Sequence, residues 1–346
     1  MSKISGPVTL RHIAEQANLS VSAVSMALQH HPRISVEARA RVQELARDLG
    51  YVPNSVGRAL RAKRANALAL IVPNTNRHVF GHAYFMHVLS GVTDVANEQD
   101  YQLLVSTNPD EQRGKVAYER VMRAGTVDGV IITSAPVDDP NIARLVASGL
   151  PVVLLGRFDS LPEAVSVGVD DVAAAVAVTE HLIVTHGRTR LAHISGPLEH
   201  QSAIDRRDGF LSACEAHGVQ GTVVEGDYSE EAGVAAGDAL VADFPDVDGV
   251  FAANDEMALS AMRRLTAGAH NVPSDVSLVG FDDFGLSRVT TPSITTMHAP
   301  VEEMAQLATR RLLQILRGSS ISDADTHTVL TANLVVRESC GCASAA

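Results

Sequence analysis

The pattern of apolar and polar positions changes near residue 65, and the two parts of the chain predict different folds. After that point, short apolar runs alternate with amphipathic stretches of helical period. The runs predict strands at 67–72, 102–106, 129–133, 152–155, 191–195, 223–224, 249–252 and 276–281. The stretches between them predict helices near 84–99, 110–124, 139–148, 171–186, 202–217, 230–242 and 255–267. Strands and helices in alternation indicate parallel sheets, and two such series indicate two α/β lobes.

Before residue 65, the apolar positions fall on three short helices. Thr9, Ser20 and Ser35 are each placed to cap the start of one helix. Asn18 and Gly50 can end the first and the third helix in the left-handed conformation. The tight turn between the first two helices predicts a helix-turn-helix. A three-helix bundle with no role in nucleic-acid binding fits the same pattern.

A weaker helix is predicted for residues 54–63, directly after Pro53, which suits the first turn of a helix. Gly57 costs this helix about 1 kcal/mol relative to alanine, and so short a helix is unstable in isolation. We therefore expect a hinge that orders only against a surface that accepts it. The basic residues Arg58, Arg61, Lys63 and Arg64 indicate that this surface carries phosphate groups.

The distribution of charge also changes near residue 65, where the pattern of apolar and polar positions changes. The first 66 residues hold ten Lys and Arg against four Asp and Glu, whereas the whole chain has 28 against 40 and a net charge of −12. A basic segment on an acidic remainder is typical of a module that binds a polyanion. The charge therefore favours a nucleic-acid role for the N-terminal helices.

Composition and missing motifs narrow the class of protein. The 346 residues suit two or three domains, and 46% hydrophobic content is ordinary for a globular chain. The sequence has neither an apolar run of about 18 residues, which a membrane span needs, nor a secretory signal. Its three cysteines do not make a disulfide framework. We therefore expect a cytoplasmic protein. Neither the glycine-rich nucleotide motifs nor the G-x-S-x-G nucleophile motif occurs, so we expect no cofactor and no enzyme.

Two pairs of residues are weak candidates for a metal site. Cys340 and Cys342 could bind a metal ion or form a strained disulfide, but two free thiols at the end of the chain are the favoured interpretation. His78 and His82 have the i, i+4 spacing of a metal-binding pair, yet no third ligand is evident. A role in lining a pocket is favoured for these histidines, and no metal site is expected.

The N-terminal residues resemble the DNA-binding region of the lac repressor family (LacI/GalR) of bacterial transcription regulators. The matching pieces are Thr9-Leu10, Ile13-Ala14, Ala17, Leu19-Ser20, Val24-Ser25, Ile34-Ser35 and Gly50-Tyr51-Val52-Pro53-Asn54. The similarity extends along nearly the whole chain and ends near residues 335–339.

The resemblance implies a helix-turn-helix head with a hinge helix at residues 1–64 and an effector-binding and dimerisation body at 65–346. The body would consist of two Rossmann-like lobes of periplasmic-binding-protein type, with chain crossovers near 168, 297 and 328. The first lobe would hold about 65–168 and 298–327, including a helix at 301–317. The second would hold about 169–297 and 328–346.

In this family the second helix lies in the major groove of the operator, and the hinge helices of a dimer enter the minor groove. The resemblance places three side chains at base edges, namely Val21, Ser22 and Met26. Residues near the DNA backbone or flanking bases would be Ser20, Ser25, Gln29, Arg33 and Ser35. Asn54 would contact the minor groove, and Leu60 would wedge between base pairs and kink the duplex. The implied DNA-binding set also contains Thr9, Leu10, Ala23, Tyr51 and Gly57.

The head departs from the family pattern at two positions. Met26 stands where an arginine is common, so a bidentate contact to guanine is missing. Gly57 replaces a commoner alanine in the hinge. Readout would therefore depend on thymine methyl groups, Ser22 and DNA deformation. For Val21 and Met26, simple packing in the core of the head is the alternative.

Ligands of open α/β sheets bind beyond the C-terminal ends of the strands, which for two facing lobes is the cleft between them. Residues that end or follow a predicted strand, open a helix or lie at a crossover are Arg157, Asp170, Arg206, Asn254, Asp255, Phe281 and Asp282. Their forked donors and paired acceptors suit the hydroxyls of a sugar or related metabolite. The family resemblance assigns effector contacts to Arg206, Asn254 and Asp282, and it makes Tyr84 and Phe85 a wall of the pocket.

Several of these candidates have a structural alternative. Asp255 and Asp283 are equally suited to capping the elements that follow them. Arg157 could form an ion pair between the lobes, and Arg207 is interpreted as a solvated neighbour of Arg206.

The sequence thus predicts a transcription regulator, most readily a repressor, that binds pseudo-palindromic operator DNA as a homodimer. A sugar-like effector between the lobes would control DNA affinity through linkage. A corepressor-dependent regulator, a solute-binding protein of a transporter and an enzyme remain the alternatives. The effector, the operator sequence, and the choice between dimer and tetramer are open, since the C-terminal end has no heptad repeat.

Overall fold

The computed structural model describes residues 8–28, 30–51, 65–109 and 115–342. Contacts divide the chain into two compact units, a head of residues 1–64 and a body of residues 65–346. The expectations for Gln29, Asn54, Gly57 and Leu60 lie outside the described residues. Within those ranges, no helix combines the length and apolarity that a bilayer span requires.

The described part of the head, residues 8–28 and 30–51, is built from three helices. They are α1 (Leu10–Ala17), α2 (Val21–Leu28) and α3 (Val36–Asp48). Their buried faces meet in one small core that includes Ile13, Val24 and Val42, each with no exposed surface. Asn18, with a φ of 56°, ends α1 in the left-handed conformation.

Serine side chains start the second and third helices as the pattern predicts. The Ala23 N–H donates to Ser20 Oγ at 3.1 Å, and the Ala38 N–H donates to Ser35 Oγ at 3.2 Å. At α1, Thr9 occupies the cap position, but its own N–H donates to His12 Nδ1 at 3.2 Å instead. The bond to Ser20 fixes the tight turn between α1 and α2, because it satisfies a donor that a helix start leaves free.

The described residues of the body form two sheets. Its strands are β1 (Ala67–Thr75), β2 (Gln102–Asn108), β3 (Gly129–Thr133), β4 (Val152–Leu155), β5 (Ser166–Val169), β6 (Arg190–Ile194), β7 (Gln220–Val224), β8 (Gly249–Ala252), β9 (Ser277–Asp282), β10 (Thr295–His298), β11 (His327–Leu330) and β12 (Asn333–Val335). The first sheet has the order β11-β5-β4-β3-β1-β2 and is parallel throughout. The second has the order β12-β10-β9-β8-β6-β7, in which only β12 runs antiparallel to its neighbour. The two parallel-sheet lobes expected from the alternating pattern are confirmed.

Helices cover the faces of both sheets. Those of the body are α4 (Asn76–Gly81), α5 (Ala83–Glu98), α6 (Val116–Ala124), α7 (Pro140–Ala147), α8 (Asp171–Glu180), α9 (Gln201–His217), α10 (Glu230–Asp243), α11 (Asp255–Ala267), α12 (Val301–Leu316) and α13 (Asp323–Thr326). A single π-helical turn, His181–Thr185, extends α8, and a 3₁₀ turn, Leu286–Arg288, follows β9.

The chain passes between the two sheets three times. It leaves the first sheet after β5, returns between β10 and α12, and leaves again between β11 and β12. By sheet membership, the first lobe spans 65–169 and 301–330, and the second spans 171–298 and 333–342. The passages bring the C-terminal ends of parallel strands from both lobes to one cleft, which is where polar side chains after β4, β8 and β9 meet.

Candidate functional site

The second helix of the head presents an exposed edge. Val21 is 42% exposed, Ser20 and Ser22 are exposed, and Met26 is half-buried. Burial of Val24 and Ala27 on the opposite side supplies the core contacts of this helix. Val21 is therefore not a core residue, and the alternative that explained it by packing alone is wrong.

The other described head residues divide between surface and core. Thr9, Arg33 and Ser35 are exposed, while Ala23 and Ser25 are half-buried on α2. Leu10 and Tyr51 are half-buried and pack against the core of the head. Leu10 and Tyr51 thus support the helices that carry the surface residues, because their apolar groups are committed to packing.

The cleft of the body is a cavity of about 1200 Å³, open solvent at its mouth included, lined by both lobes. Seven of the nine side chains expected from the sequence line it, namely Tyr84, Phe85, Arg157, Arg206, Asn254, Asp255 and Asp282. Further lining residues with polar or aromatic side chains are His78, His82, Ser134, Phe158, Asp171, His200, Gln201, Ser202, Tyr228, Glu256 and Phe284. The cleft therefore combines aromatic surface with many hydroxyl-binding groups.

Two expected residues do not line the cleft. Asp170 is exposed and caps α8, accepting the Ala173 N–H at 2.9 Å. Its neighbour Asp171 faces the cleft in its place, because the cap position turns the Asp170 side chain back toward its own helix. Phe281 has no exposed surface and lies beneath Arg206, whose guanidinium carbon is 3.5 Å from the ring centroid.

Arg206 is held rigidly at the base of the cleft. Its Nε donates to Asp171 Oδ1 at 2.7 Å, and its Nη1 donates to the Ala253 carbonyl at 2.6 Å. Burial opposes the charge, but Asp171, Tyr228 and Asp282 raise the pKa of Arg206 above its ordinary value. The guanidinium thus remains a fixed cation whose position is set by α8, α9 and the end of β8.

Asp282 ends β9 in a strained conformation. Its φ is 106° and that of Asp283 is 62°, a region that residues with a side chain rarely occupy. Among the described residues, no side chain or backbone group forms a hydrogen bond with its carboxylate, which lines the cleft. Burial raises the pKa of Asp282 well above its ordinary value, and Arg206 only partly opposes this shift. Strain and an unpaired polar group in a cleft together indicate a ligand-binding side chain.

Asn254, rather than Asp255, caps α11. Its Oδ1 accepts the Met257 N–H at 3.0 Å, and its Nδ2 donates to the Tyr228 carbonyl at 2.9 Å. Asp255 instead accepts the Asp283 N–H at 3.0 Å, so it ties the strained end of β9 to α11. Burial raises the pKa of Asp255 to about 7.

Asp283 has neither of the two roles expected from the sequence. It does not line the cleft, and it caps no helix. Its carboxylate instead accepts hydrogen bonds from Arg337 Nη2 at 2.6 Å and from Ser287 Oγ at 3.0 Å. This interaction anchors the chain after β9 to the C-terminal segment, because Arg337 lies just beyond β12.

Contacts across the cleft join the lobes. Arg157 donates from Nε and Nη2 to Asp205, at 3.0 and 2.5 Å, as the interlobe alternative predicted. His82 Nδ1 lies 2.9 Å from Glu256 Oε2. The two lobes thus have polar contacts with one another across the cleft.

Tyr228, which lies in the loop after β7, lines the cleft but was not predicted from the sequence. Its φ is 71°, and its ring occupies the space beside Gly196, where a Cβ would come within 2.2 Å of the ring. The signal in the sequence for this residue is Gly196, two residues after β6, since any larger residue there would displace the ring. His78 lines the cleft as expected, and burial, with His82 and His200, lowers its pKa to about 4.

Two family models match the chain. The model for bacterial regulatory proteins of the lacI family matches residues 9–54, and that for a periplasmic binding protein-like domain matches residues 179–340. The chain is 33% identical to the HTH-type transcriptional regulator CelR of Thermobifida fusca over 339 residues, covering 96% of this chain and 98% of CelR. It is 30% identical to the ribose operon repressor of Halalkalibacterium halodurans over 333 residues, covering 95% and 96%.

Solved structures give the same result. A complex of the transcriptional regulator CelR with cellobiose matches with a TM-score of 0.74 and 30% identity, covering 96% of this chain and 99% of that one. The lac repressor dimer bound to operator and the anti-inducer ONPF matches with a TM-score of 0.85 and 26% identity, with the same coverage. These matches confirm the resemblance seen in the sequence: the chain belongs to the LacI family and is a helix-turn-helix transcriptional regulator.

Proposed function

We propose that this regulator is a repressor that binds operator DNA as a homodimer and responds to a neutral sugar held in the cleft of the body. The observation that carries the sugar assignment is the strained, unpaired carboxylate of Asp282 opposite aromatic lining residues. Carboxylates accept hydrogen bonds from hydroxyls, and aromatic faces pack against the C–H faces of a sugar ring.

The charges of the cleft favour a neutral ligand over an anionic one. Arg206 is paired with Asp171 and Arg157 with Asp205, so both lining arginines already have carboxylate partners. Glu256 adds negative charge at the same surface, and Asp282, whose pKa burial raises, offers no positive charge to an anionic ligand. A phosphate or sugar acid would meet these carboxylates, whereas uncharged hydroxyls would not. The CelR relative is known as a cellobiose complex, which agrees with a neutral saccharide.

DNA binding is assigned to the head. Val21 and Ser22 project from the exposed edge of α2, and the first 66 residues carry the excess of basic residues. The lac repressor relative is a dimer on its operator, which agrees with one head for each half-site. Effector binding would act by linkage, because a ligand that favours one arrangement of the lobes changes the affinity for DNA by the same factor as DNA changes the affinity for the ligand.

A thermal-shift screen of the full chain tests the sugar assignment. Neutral mono- and disaccharides are compared with the matching sugar acids and sugar phosphates. We expect a neutral sugar to raise the melting temperature, and Asp282→Asn to abolish that rise. Asp208→Asn is the matched control, since Asp208 is an exposed carboxylate on α9 away from the cleft. Stronger stabilisation by an anionic sugar, or a full response in Asp282→Asn, would refute the proposal.

A further inference from the structure

Two histidines and two cysteines from distant parts of the chain come together in the second lobe. They are His181 and His186, at the end of α8, and Cys340 and Cys342, at the end of the described chain. Their ligand atoms all lie within 4.8 Å of one another. None of the four lines the cleft. We propose that this cluster binds a Zn²⁺ ion as a closed, four-ligand site.

The distances fit a tetrahedral ion. His181 Nε2 and His186 Nε2 are 3.2 Å apart, and Cys342 Sγ is 3.4 Å from His186 Nε2 and 3.8 Å from His181 Nε2. With bonds of about 2.0–2.1 Å to nitrogen and about 2.3 Å to sulfur, tetrahedral Zn²⁺ places two nitrogens about 3.3 Å apart and a nitrogen and a sulfur about 3.6 Å apart. Three of the six edges of a Cys₂His₂ tetrahedron are therefore already in place, and Cys340 Sγ lies within 4.8 Å of the other three ligand atoms.

The π turn explains how the histidines meet. Residues five apart point in different directions on an α-helix, which has about 3.6 residues per turn. The π turn over His181–Thr185 widens the last turn, so that the two rings lie edge to face with centroids 4.9 Å apart. Single π turns inside helices are rare and are frequent at functional sites. A metal site would therefore explain the π turn, because the turn directs the imidazole nitrogens of His181 and His186 toward the same ion.

The cysteines are positioned by the start of β9, an internal strand of the second sheet. Cys340 has no exposed surface, and its carbonyl accepts Ser277 Oγ at 2.6 Å. Gly341, with a φ of 100°, turns the chain so that the Cys342 N–H donates to Cys340 Sγ at 3.5 Å. A side chain at position 341 would be strained at that φ, so glycine between the cysteines allows both sulfurs to face the histidines.

The ligand set identifies the metal class and its role. Two thiolates and two imidazoles favour Zn²⁺ over the hard cations Ca²⁺ and Mg²⁺, which prefer oxygen ligands. Four protein ligands leave no open position, which is typical of a structural rather than a catalytic ion. The ion would fasten the C-terminal segment to α8, and binding would release the two thiol protons.

Metal analysis of the full chain, free of any affinity tag, tests the proposal. The protein is loaded with Zn²⁺ under reducing conditions and then passed through a desalting column. We expect one Zn²⁺ per chain, and Co²⁺ in its place should give the visible absorption of a tetrahedral ion with a thiolate charge-transfer band. Zn²⁺ should also raise the melting temperature of the wild type.

Variants separate the cluster from adventitious binding. Cys342→Ser and His186→Asn should each lose the bound metal and the Zn²⁺-dependent rise in melting temperature. The controls Cys214→Ala and His217→Asn change a cysteine and a histidine outside the cluster and should retain both. Absence of bound metal in the loaded wild type, a Cys340–Cys342 disulfide that persists in reductant, or equal loss in the controls would overturn the proposal. None of these outcomes depends on effector or DNA binding.

Discussion

Arg206 is both a ligand candidate and the partner of a buried carboxylate. Its side chain and that of Asp171 are 10% and 11% exposed, so neither charge is well hydrated. Removing one partner of such a pair leaves an uncompensated charge, which is strongly destabilising, whereas replacing both partners removes the problem. The two roles of Arg206 can therefore be separated experimentally.

Arg206→Met should lower the free energy of unfolding by about 3–5 kcal/mol, because it leaves Asp171 buried and unpaired. The double variant Arg206→Met, Asp171→Asn should recover most of this loss but still bind no sugar. Chemical denaturation and ligand titration measure the two effects. If the double variant binds sugar as the wild type does, Arg206 acts only through structure.

Asp255 gives the body a pH dependence of predictable sign. Burial raises its pKa to about 7 in the folded chain from an ordinary 3.8, so the folded state binds a proton that the unfolded state has released. The stabilisation from this proton is complete at low pH and is lost as the pH rises from about 4 to 7.

Relative to Asp255→Asn, the free energy of unfolding of the wild type should therefore fall across this pH range, with a slope of at most about 1.4 kcal/mol per pH unit. Above pH 7 the difference should be constant. Urea denaturation of both proteins at a series of pH values measures it. A difference that does not change with pH, or that grows with pH in favour of the wild type, would show that Asp255 is ionised throughout.

At the scale of elements, apolar runs were sufficient to predict the central strands but not the short ones at the passages between lobes. β5, β10 and β11 have four residues each, and β5 and β10 are rich in Ser, Gly and Thr. Their strand conformation comes from pairing with a neighbour at the edge of a sheet rather than from local preference. The helix α4 was missed because its six residues have no apolar period.

The crossing of α5 and α12 depends on a close approach at Gly91. A Cβ at this position would lie 2.4 Å from the Glu302 carbonyl oxygen and 2.8 Å from Ala305 Cβ. Gly91→Ala should therefore destabilise the body by about 1–3 kcal/mol through overpacking.

Gly81→Ala is the matched control, since Gly81 is also helical and has nothing within 4 Å of a built Cβ. It should leave stability unchanged or raise it by up to about 1 kcal/mol. Thermal and urea unfolding compare the two variants. Equal stability of both would contradict the packing of these helices.

At the scale of the whole molecule, the sequence predicted which strand ends meet at the cleft better than it predicted which long-range contacts complete the site. Asp282 and Asn254 follow directly from strand ends, since parallel strands place their C-terminal ends at one edge. Tyr228 and Asp171 depend on contacts between elements that are distant in sequence within the second lobe, which no local pattern encodes. The pairing of the histidines with the C-terminal cysteines was missed for the same reason.

The body holds its two lobes together by contacts that a ligand can strengthen or replace. Besides the ion pair of Arg157 with Asp205, the His87 ring stacks on Phe284 with centroids 4.3 Å apart. A sugar between Asp282 and the aromatic side chains of the first lobe would bridge the same gap. Any such ligand shifts the equilibrium of the lobes only by its difference in affinity between their arrangements.

The measurement that tests the regulatory claim most directly is the affinity of the full chain for a duplex selected from a random DNA pool, followed by fluorescence anisotropy. We predict preferential binding to a pseudo-palindromic site that weakens steeply with salt. A saturating neutral sugar should weaken that binding by about 5- to 150-fold, the usual range of allosteric coupling. No preference for any duplex, or an affinity that no cleft ligand changes, would contradict the account.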